Sequence, residues 1–276
     1  MKIACSNVML PGNSLTEKAM LLHQWGFDGI ALFINYADWC DELHEEVRSL
    51  KENTGVTPCE FAFGDKLYGH LMSPDPQLRK KSREMYKLAA CIAGELGAVT
   101  ELEFAYGAQD PLPLFHPYRE MTAQEERDFI EMYEEVTAPL SGSNGLMLLE
   151  GINRYESPYL NSIKQCKDLV DKLSFSNAGV LADFFHMSIE ESNIADSLRY
   201  VGASVKHVHL GDNNRLLPGY GSTDWRAGFL ALKEIGFNGY INLECSTCGA
   251  PAETLPANVT FLRNLLDEVE NENRRD

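Results

Sequence analysis

Eight short apolar runs, each followed by an amphipathic stretch of helical spacing, alternate along the chain, and this alternation restricts the fold more than any motif does. The strand-like runs are 2–6, 29–33, 57–62, 98–104, 146–150, 179–183, 205–210 and 240–244. The helical stretches are 14–25, 38–53, 75–96, 122–141, 158–173, 190–201, 225–235 and 257–270. Local signals agree with these bounds. Ser14 precedes Glu17 at capping-box spacing, and Ser73-Pro74-Asp75-Pro76 opens a helix with prolines in its first turn. Gly26 and Gly236 close helices just before new strands. Strict alternation calls for a parallel sheet, and eight units of roughly 30 residues match an α/β protein of the (β/α)8 TIM barrel class. An open doubly wound sheet wants a glycine-rich phosphate fingerprint after the first strand, and none is present. With no linker or break in composition, one domain over 1–276 is expected.

Charge and cysteine usage narrow the partners. The 41 acidic residues against 24 basic ones leave a formal charge of -17, which repels phosphate backbones, so no nucleic-acid partner is expected. No run approaches the roughly 18 apolar residues of a membrane span. Met1-Lys2-Ile3-Ala4-Cys5-Ser6-Asn7 has no apolar region of signal-peptide length. Seven scattered cysteines, an odd number, suit a reduced protein better than a disulfide scaffold, and the expected location is cytoplasmic.

Four polar residues fall at the ends of the last four strands: Glu150, Asp183, His209 and Glu244. Each alone is ordinary, because a carboxylate ending an apolar strand is often only emerging into solvent. In a barrel, however, all four converge on the mouth where characterised barrel enzymes keep their sites. Clustered carboxylates repel unless a cation or proton is shared among them. Three carboxylates and one imidazole form a hard, oxygen-rich set that suits one divalent metal ion, Mn²⁺ first and Mg²⁺ or Co²⁺ as alternatives. His207 shares a strand face with His209 and is expected one layer below, as a buried hydrogen-bonding residue.

The segment Glu150-Gly151-Ile152-Asn153-Arg154-Tyr155-Glu156 resembles the first metal motif of the xylose isomerase-like barrel family, and of its ketose 3-epimerase branch in particular. Asp183-Phe184-Phe185-His186-Met187-Ser188-Ile189-Glu190-Glu191 is similar to the second motif. His207-Val208-His209-Leu210-Gly211-Asp212-Asn213-Asn214-Arg215 is similar to the third, and Asn242-Leu243-Glu244 to the fourth. The resemblance implies that Glu150, Asp183, His209 and Glu244 ligate the metal, with Glu150 and Glu244 doubling as the acid/base pair. It implies that Glu156, His186 and Arg215 bind the oxygens of a small sugar substrate. It also implies a homo-oligomer.

That chemistry has its own physical logic. A hydrogen beside a sugar carbonyl is too weakly acidic to leave unaided, so a cation at the oxygens and two carboxylates on opposite faces are needed to form and reprotonate an enediolate. The expected reaction is epimerisation or aldose–ketose isomerisation of a ketose or keto-sugar derivative. A β-eliminating lyase could use the same site. An apurinic endonuclease would want more histidines on the early strands, and a purely binding protein would not need the two glutamates.

The first half departs from the branch: Cys5-Ser6-Asn7-Val8 replaces the usual aromatics after strand one, and Ala31 stands where many relatives carry an acid. The loop 105–121, with Tyr106, Phe115 and Tyr118, is long enough to serve as a lid. Cys245 and Cys248 have the spacing of a redox pair, but they follow a strand and are expected to be packing and loop residues.

Overall fold

Strands rich in branched and small apolar residues, each buried on both faces, can pair only in parallel when helices connect them. The computed structural model describes residues 1–103, 105, 107, 109–115 and 119–271. Its strands are β1 (Lys2–Ser6), β2 (Gly29–Asn35), β3 (Thr57–Gly64), β4 (Val99–Leu102), β5 (Leu146–Glu150), β6 (Ala178–Asp183), β7 (Val205–Leu210) and β8 (Tyr240–Leu243). They close in chain order into a barrel, β8 pairing β1 through Lys2↔Tyr240 and Ile3↔Ile241. The (β/α)8 expectation holds.

The surrounding helices are α1 (Leu15–Trp25), α2 (Asp41–Thr54), α3 (Pro76–Leu96), α4 (Ala123–Thr137), α5 (Ile163–Val170), α6 (Phe184–Glu190), α7 (Ile194–Val201), α8 (Trp225–Glu234) and α9 (Pro251–Asn271). Each turns an apolar stripe to the sheet. On α3 the stripe is Met85, Tyr86, Ala89, Ala90, Ile92 and Ala93, and each large side chain buried this way contributes about 1.5–3 kcal/mol. Ser14 caps α1 by accepting from the Glu17 amide, as its spacing predicts. Gly228 lets α8 lie against the Phe184 ring, since a Cβ there would come within 2.5 Å of it.

Several elements differ from the sequence expectation, among them α5, which runs over Ile163–Val170 rather than 158–173. The stretch 190–201 is helical only from Ile194, as α7, and a separate short helix, α6, stands before it at Phe184–Glu190. Asp183 starts α6 directly at the end of β6, its side chain accepting from the Phe185 amide at 2.6 Å. The last helix begins at Pro251 rather than 257 and runs through Pro256, whose ring nitrogen has no hydrogen to donate in the second turn. Phe104, Tyr106 and Tyr118, placed by the sequence in strand four and the long loop, lie outside the described residues. No helix among the described residues is long and apolar enough to cross a membrane.

Candidate functional site

Register brings the four strand-end residues together. Asp183 pairs with His209 across β6 and β7, His209 pairs with Asn242 across β7 and β8, and the Glu244 amide donates to the Leu210 carbonyl one step beyond β8. Nδ1 of His209 lies 3.4 Å from Glu244 Oε2 and 3.6 Å from Glu150 Oε1. One oxygen each from Asp183 and Glu244 and one nitrogen of His209 all lie within 4.8 Å of one another, close enough to hold a metal ion.

A residue that the sequence reading passed over organises this cluster. Glu60, fully buried on β3, receives Nε2 of His209 at 2.9 and 3.1 Å from its two oxygens, and it stands 3.3 Å from Nε2 of His207. With Nε2 donating to Glu60, His209 turns the lone pair of Nδ1 into the barrel mouth, the tautomer a metal-ligating histidine needs. Nδ1 of His209 and Oε1 of Glu150 are buried and have no hydrogen-bond partner among the described residues. Buried polar atoms rarely stay unpaired, so these two orphans and the carboxylate-rich donor set fit a hard divalent cation. His207 lies one layer below and is nearly fully buried, as expected, but its Nε2, 3.3 Å from Glu60, makes no hydrogen bond among the described residues.

The charges are strongly coupled. Burial pushes the Glu60 carboxyl up, but His209 and then His207 outweigh it and hold it well below the usual carboxylate range. Burial pushes His209 down, while Glu60 and Glu244 carry it well above the ordinary imidazole value. Burial also raises Glu150 against the opposing pull of His209, whereas in Glu244 the same burial is overcome by His209 and Arg215 and the carboxyl falls. The two carboxyls flanking His209 thus stand on opposite sides of the ordinary value.

Arg215 reaches the same point from the loop after β7. Its Nη2 donates to Glu244 Oε2 at 2.9 Å and its Nη1 to Asp183 Oδ2 at 3.2 Å, with the guanidinium over the Phe185 ring. The backbone at Arg215 is left-handed, with φ of 59°, a conformation that costs a non-glycine residue energy and must be enforced by its surroundings. Asp212 enforces it. Its carboxylate accepts from the amides of Asn213, Gly219, Gly221 and Thr223 and from the Trp225 indole, and its carbonyl accepts the Arg215 amide at 2.8 Å. Asp212→Ala should cost about 2–3 kcal/mol in urea unfolding at pH 7, because several buried donors lose their acceptor. Burial raises this carboxyl, but the hydrogen bonds from Thr223 and Trp225 outweigh it and its folded value is lowered. Its contribution is therefore complete above an unfolded value of about 3.9 and is lost as pH falls through the folded value, so the gap between wild type and variant should shrink in acid.

His186 and Glu156 sit on the neighbouring wall. Nδ1 of His186 accepts from the Asn153 amide at 3.2 Å, and the Asn153 side chain donates to Glu156 Oε1 at 2.8 Å. Nε2 of His186 is left 3.2 Å from Arg215 Nη1 and 3.6 Å from Asp183 Oδ2. All seven residues singled out from the sequence therefore lie in one neighbourhood. Beside them is a cavity of about 170 Å³ lined by Glu150, Glu156, His186, Arg215 and Glu244. Its other lining residues were not anticipated: Phe33 and Phe63 form an apolar side, and Tyr68, Glu101 and Glu103 an acidic one. Cys245 packs against the core and Cys248 is exposed, both as free thiols.

Comparison with known proteins gives this geometry its context. The D-psicose 3-epimerase of Enterocloster bolteae is 42% identical over 96 residues, which is 35% of this chain and 32% of that one. The 3-dehydro-D-guloside 4-epimerase of Escherichia coli is 27% identical over 252 residues, covering 88% of this chain and 92% of the relative. The crystal structure of D-psicose 3-epimerase with D-tagatose from Clostridium cellulolyticum superposes with a TM-score of 0.80 at 22% identity, covering 96% of this chain and 99% of that one. A family model described as xylose isomerase-like TIM barrel matches residues 20–265. By that match, and among relatives named as epimerases, the chain belongs to the xylose isomerase-like TIM barrel family.

Proposed function

We propose that the protein is a divalent-metal-dependent sugar epimerase or isomerase acting through an enediolate on a ketose or keto-sugar derivative. One observation carries the reading: His209 presents an unpartnered Nδ1 to Glu150 and Glu244 while Glu60 holds its other nitrogen. Glu150, Asp183, His209 and Glu244 would hold the ion, which we assign first as Mn²⁺, with Mg²⁺ or Co²⁺ as alternatives. When bound, such an ion polarises the substrate carbonyl and offsets the negative charge that develops beside it. Glu150 and Glu244 stand on the two outer strands of the four that carry the ligands, on β5 and just after β8. One removes the hydrogen next to the carbonyl, and the other returns a proton to the opposite face, which inverts that carbon. Return to the neighbouring carbon instead interconverts aldose and ketose. Arg215 donates to substrate oxygens, while Glu156, aligned by Asn153, and His186 bind hydroxyls. The relatives named D-psicose 3-epimerase and 3-dehydro-D-guloside 4-epimerase support this substrate class.

The test is solvent exchange. Protein loaded with Mn²⁺ is incubated in heavy water with free ketoses and 3-keto-glycosides, and NMR is expected to show deuterium at one carbon together with a new epimer. Absence of exchange into any of them would contradict the proposal. Release of water or an aglycone without an epimer would shift the assignment to a lyase. Arg215→Lys should lower kcat/KM about tenfold in the same assay, because a point charge cannot span Asp183 and Glu244 as the planar fork does.

A further inference from the structure

β4 stands opposite β8 in the closed strand order and carries one buried acid, Glu101, with a second, Glu103, just beyond its end. Glu101 and Glu103 are 4% and 5% exposed, and both line the cavity. The Tyr68 hydroxyl lies between them, 2.5 Å from Glu101 Oε1 and 3.1 Å from Glu103 Oε1. A phenol has one proton to give, so it cannot serve two carboxylates fully. Among the described residues, Oε2 of Glu103 has no hydrogen-bond partner. The basic groups lining the cavity among the described residues are Arg215, already engaged with Asp183 and Glu244, and His186. A buried acceptor is costly to leave unpaired, and the cavity is where a donor can reach it.

The charge balance states which donors fit. Among the described residues, five carboxylates line the cavity, from Glu101, Glu103, Glu150, Glu156 and Glu244, against one guanidinium. Burial and the neighbouring Glu150 push both Glu101 and Glu103 well above the usual carboxylate range, so this wall already resists negative charge, and a phosphate or carboxylate on the ligand meets the same desolvation and repulsion. A neutral sugar meets acceptors that its hydroxyls satisfy.

We infer that Glu103, supported by Glu101 and Tyr68, determines specificity: it accepts a hydrogen bond from a sugar hydroxyl outside the two reacting carbons and excludes phosphorylated and carboxylated sugars. This rests on the proposed epimerase reading for the position of the reacting carbons. It assigns a role to residues that the metal chemistry does not use.

The experiment compares metal-loaded wild type, Glu103→Met and Glu103→Gln. The ligands are D-tagatose and a 3-keto-D-glucoside, their analogues deoxygenated singly outside the reacting pair, and their phosphate esters. Methionine matches the shape and removes the acceptor, and thermal melting checks that the variant folds. Wild type is expected to favour the parent sugar over one deoxy analogue by at least about tenfold in kcat/KM, mostly through KM, and to disfavour the phosphate ester. In Glu103→Met the hydroxyl preference should fall to within about twofold, with glutamine intermediate, and both variants should tolerate the ester better. An unchanged hydroxyl-to-deoxy ratio in Glu103→Met, or wild type accepting the ester as well as its parent, overturns the inference. Calorimetric binding of the same ligands separates the two readings. A hydroxyl preference in binding that Glu103→Met abolishes, without turnover, upholds the specificity role and defeats the epimerase reading. Turnover with an unaltered ratio does the reverse, and absence of binding defeats both.

Discussion

Replacing Glu150 or Glu244 by glutamine is expected to lower turnover by about three orders of magnitude, the range in which a positioned proton-transferring group contributes. Glutamine keeps the shape and a carbonyl oxygen that can still face a cation, but it cannot take a proton at neutral pH. A two-sided mechanism also predicts a signature that simple damage does not produce. With one carboxylate left, the epimer whose hydrogen faces it should still exchange with heavy water without inverting, while the opposite epimer should not exchange. The two variants should show opposite preferences. Deuterium incorporation by NMR from each epimer, alongside metal content, decides the matter. Retention of more than a tenth of wild-type inversion by both variants would falsify the assignment of the pair.

The second large effect should come from Glu60, which the proposed chemistry never touches. Glu60→Ala leaves His207 and His209 in a fully buried layer without their common carboxylate. Removing one partner of a buried charged pair costs about 3–5 kcal/mol, so a marked loss of thermal stability is expected in the metal-free protein. Because Nε2 of His209 is no longer held, Nδ1 loses its orientation, and metal affinity should fall about 100-fold, at the upper end of what outer partners of metal-ligating histidines contribute. Glu60→Gln, which can still accept from one imidazole, should lie between the two. Titration of Mn²⁺ by calorimetry measures the affinity, and melting with and without Mn²⁺ separates it from stability. An Ala variant that melts lower but binds Mn²⁺ like wild type would make Glu60 a packing residue only.

How much of this was readable in advance depended on where each side chain sat. Glu150, Asp183, His209 and Glu244 end apolar strands, so the break in hydropathy marked them. The turn chemistry of Ser14 likewise gave its helix away. Glu60 was missed because it stands in the middle of Thr57-Pro58-Cys59-Glu60-Phe61, where a single acid reads as an irregularity. Glu101 and Glu103 were missed because alternating acids on a strand ordinarily mark a face turned to solvent. In a closed barrel that alternate face is the interior, and near the mouth it can be polar. The helix α6 was missed because Asp183 was read only as the end of a strand, whereas its carboxylate also caps the turn that follows.

The order of strands and helices, the closure they imply and the four strand-end donors were set by the sequence alone. Periodicity and capping are local properties, and eight parallel units leave few ways to bury both sheet faces. The tertiary structure decided which nitrogen of His209 faces the mouth, which acid holds the other, and that β4 brings two carboxylates to the cavity opposite β8. Those facts depend on register and on contacts between residues as distant as Glu60 and His209, 149 positions apart, and no local pattern encodes a pairing at that range.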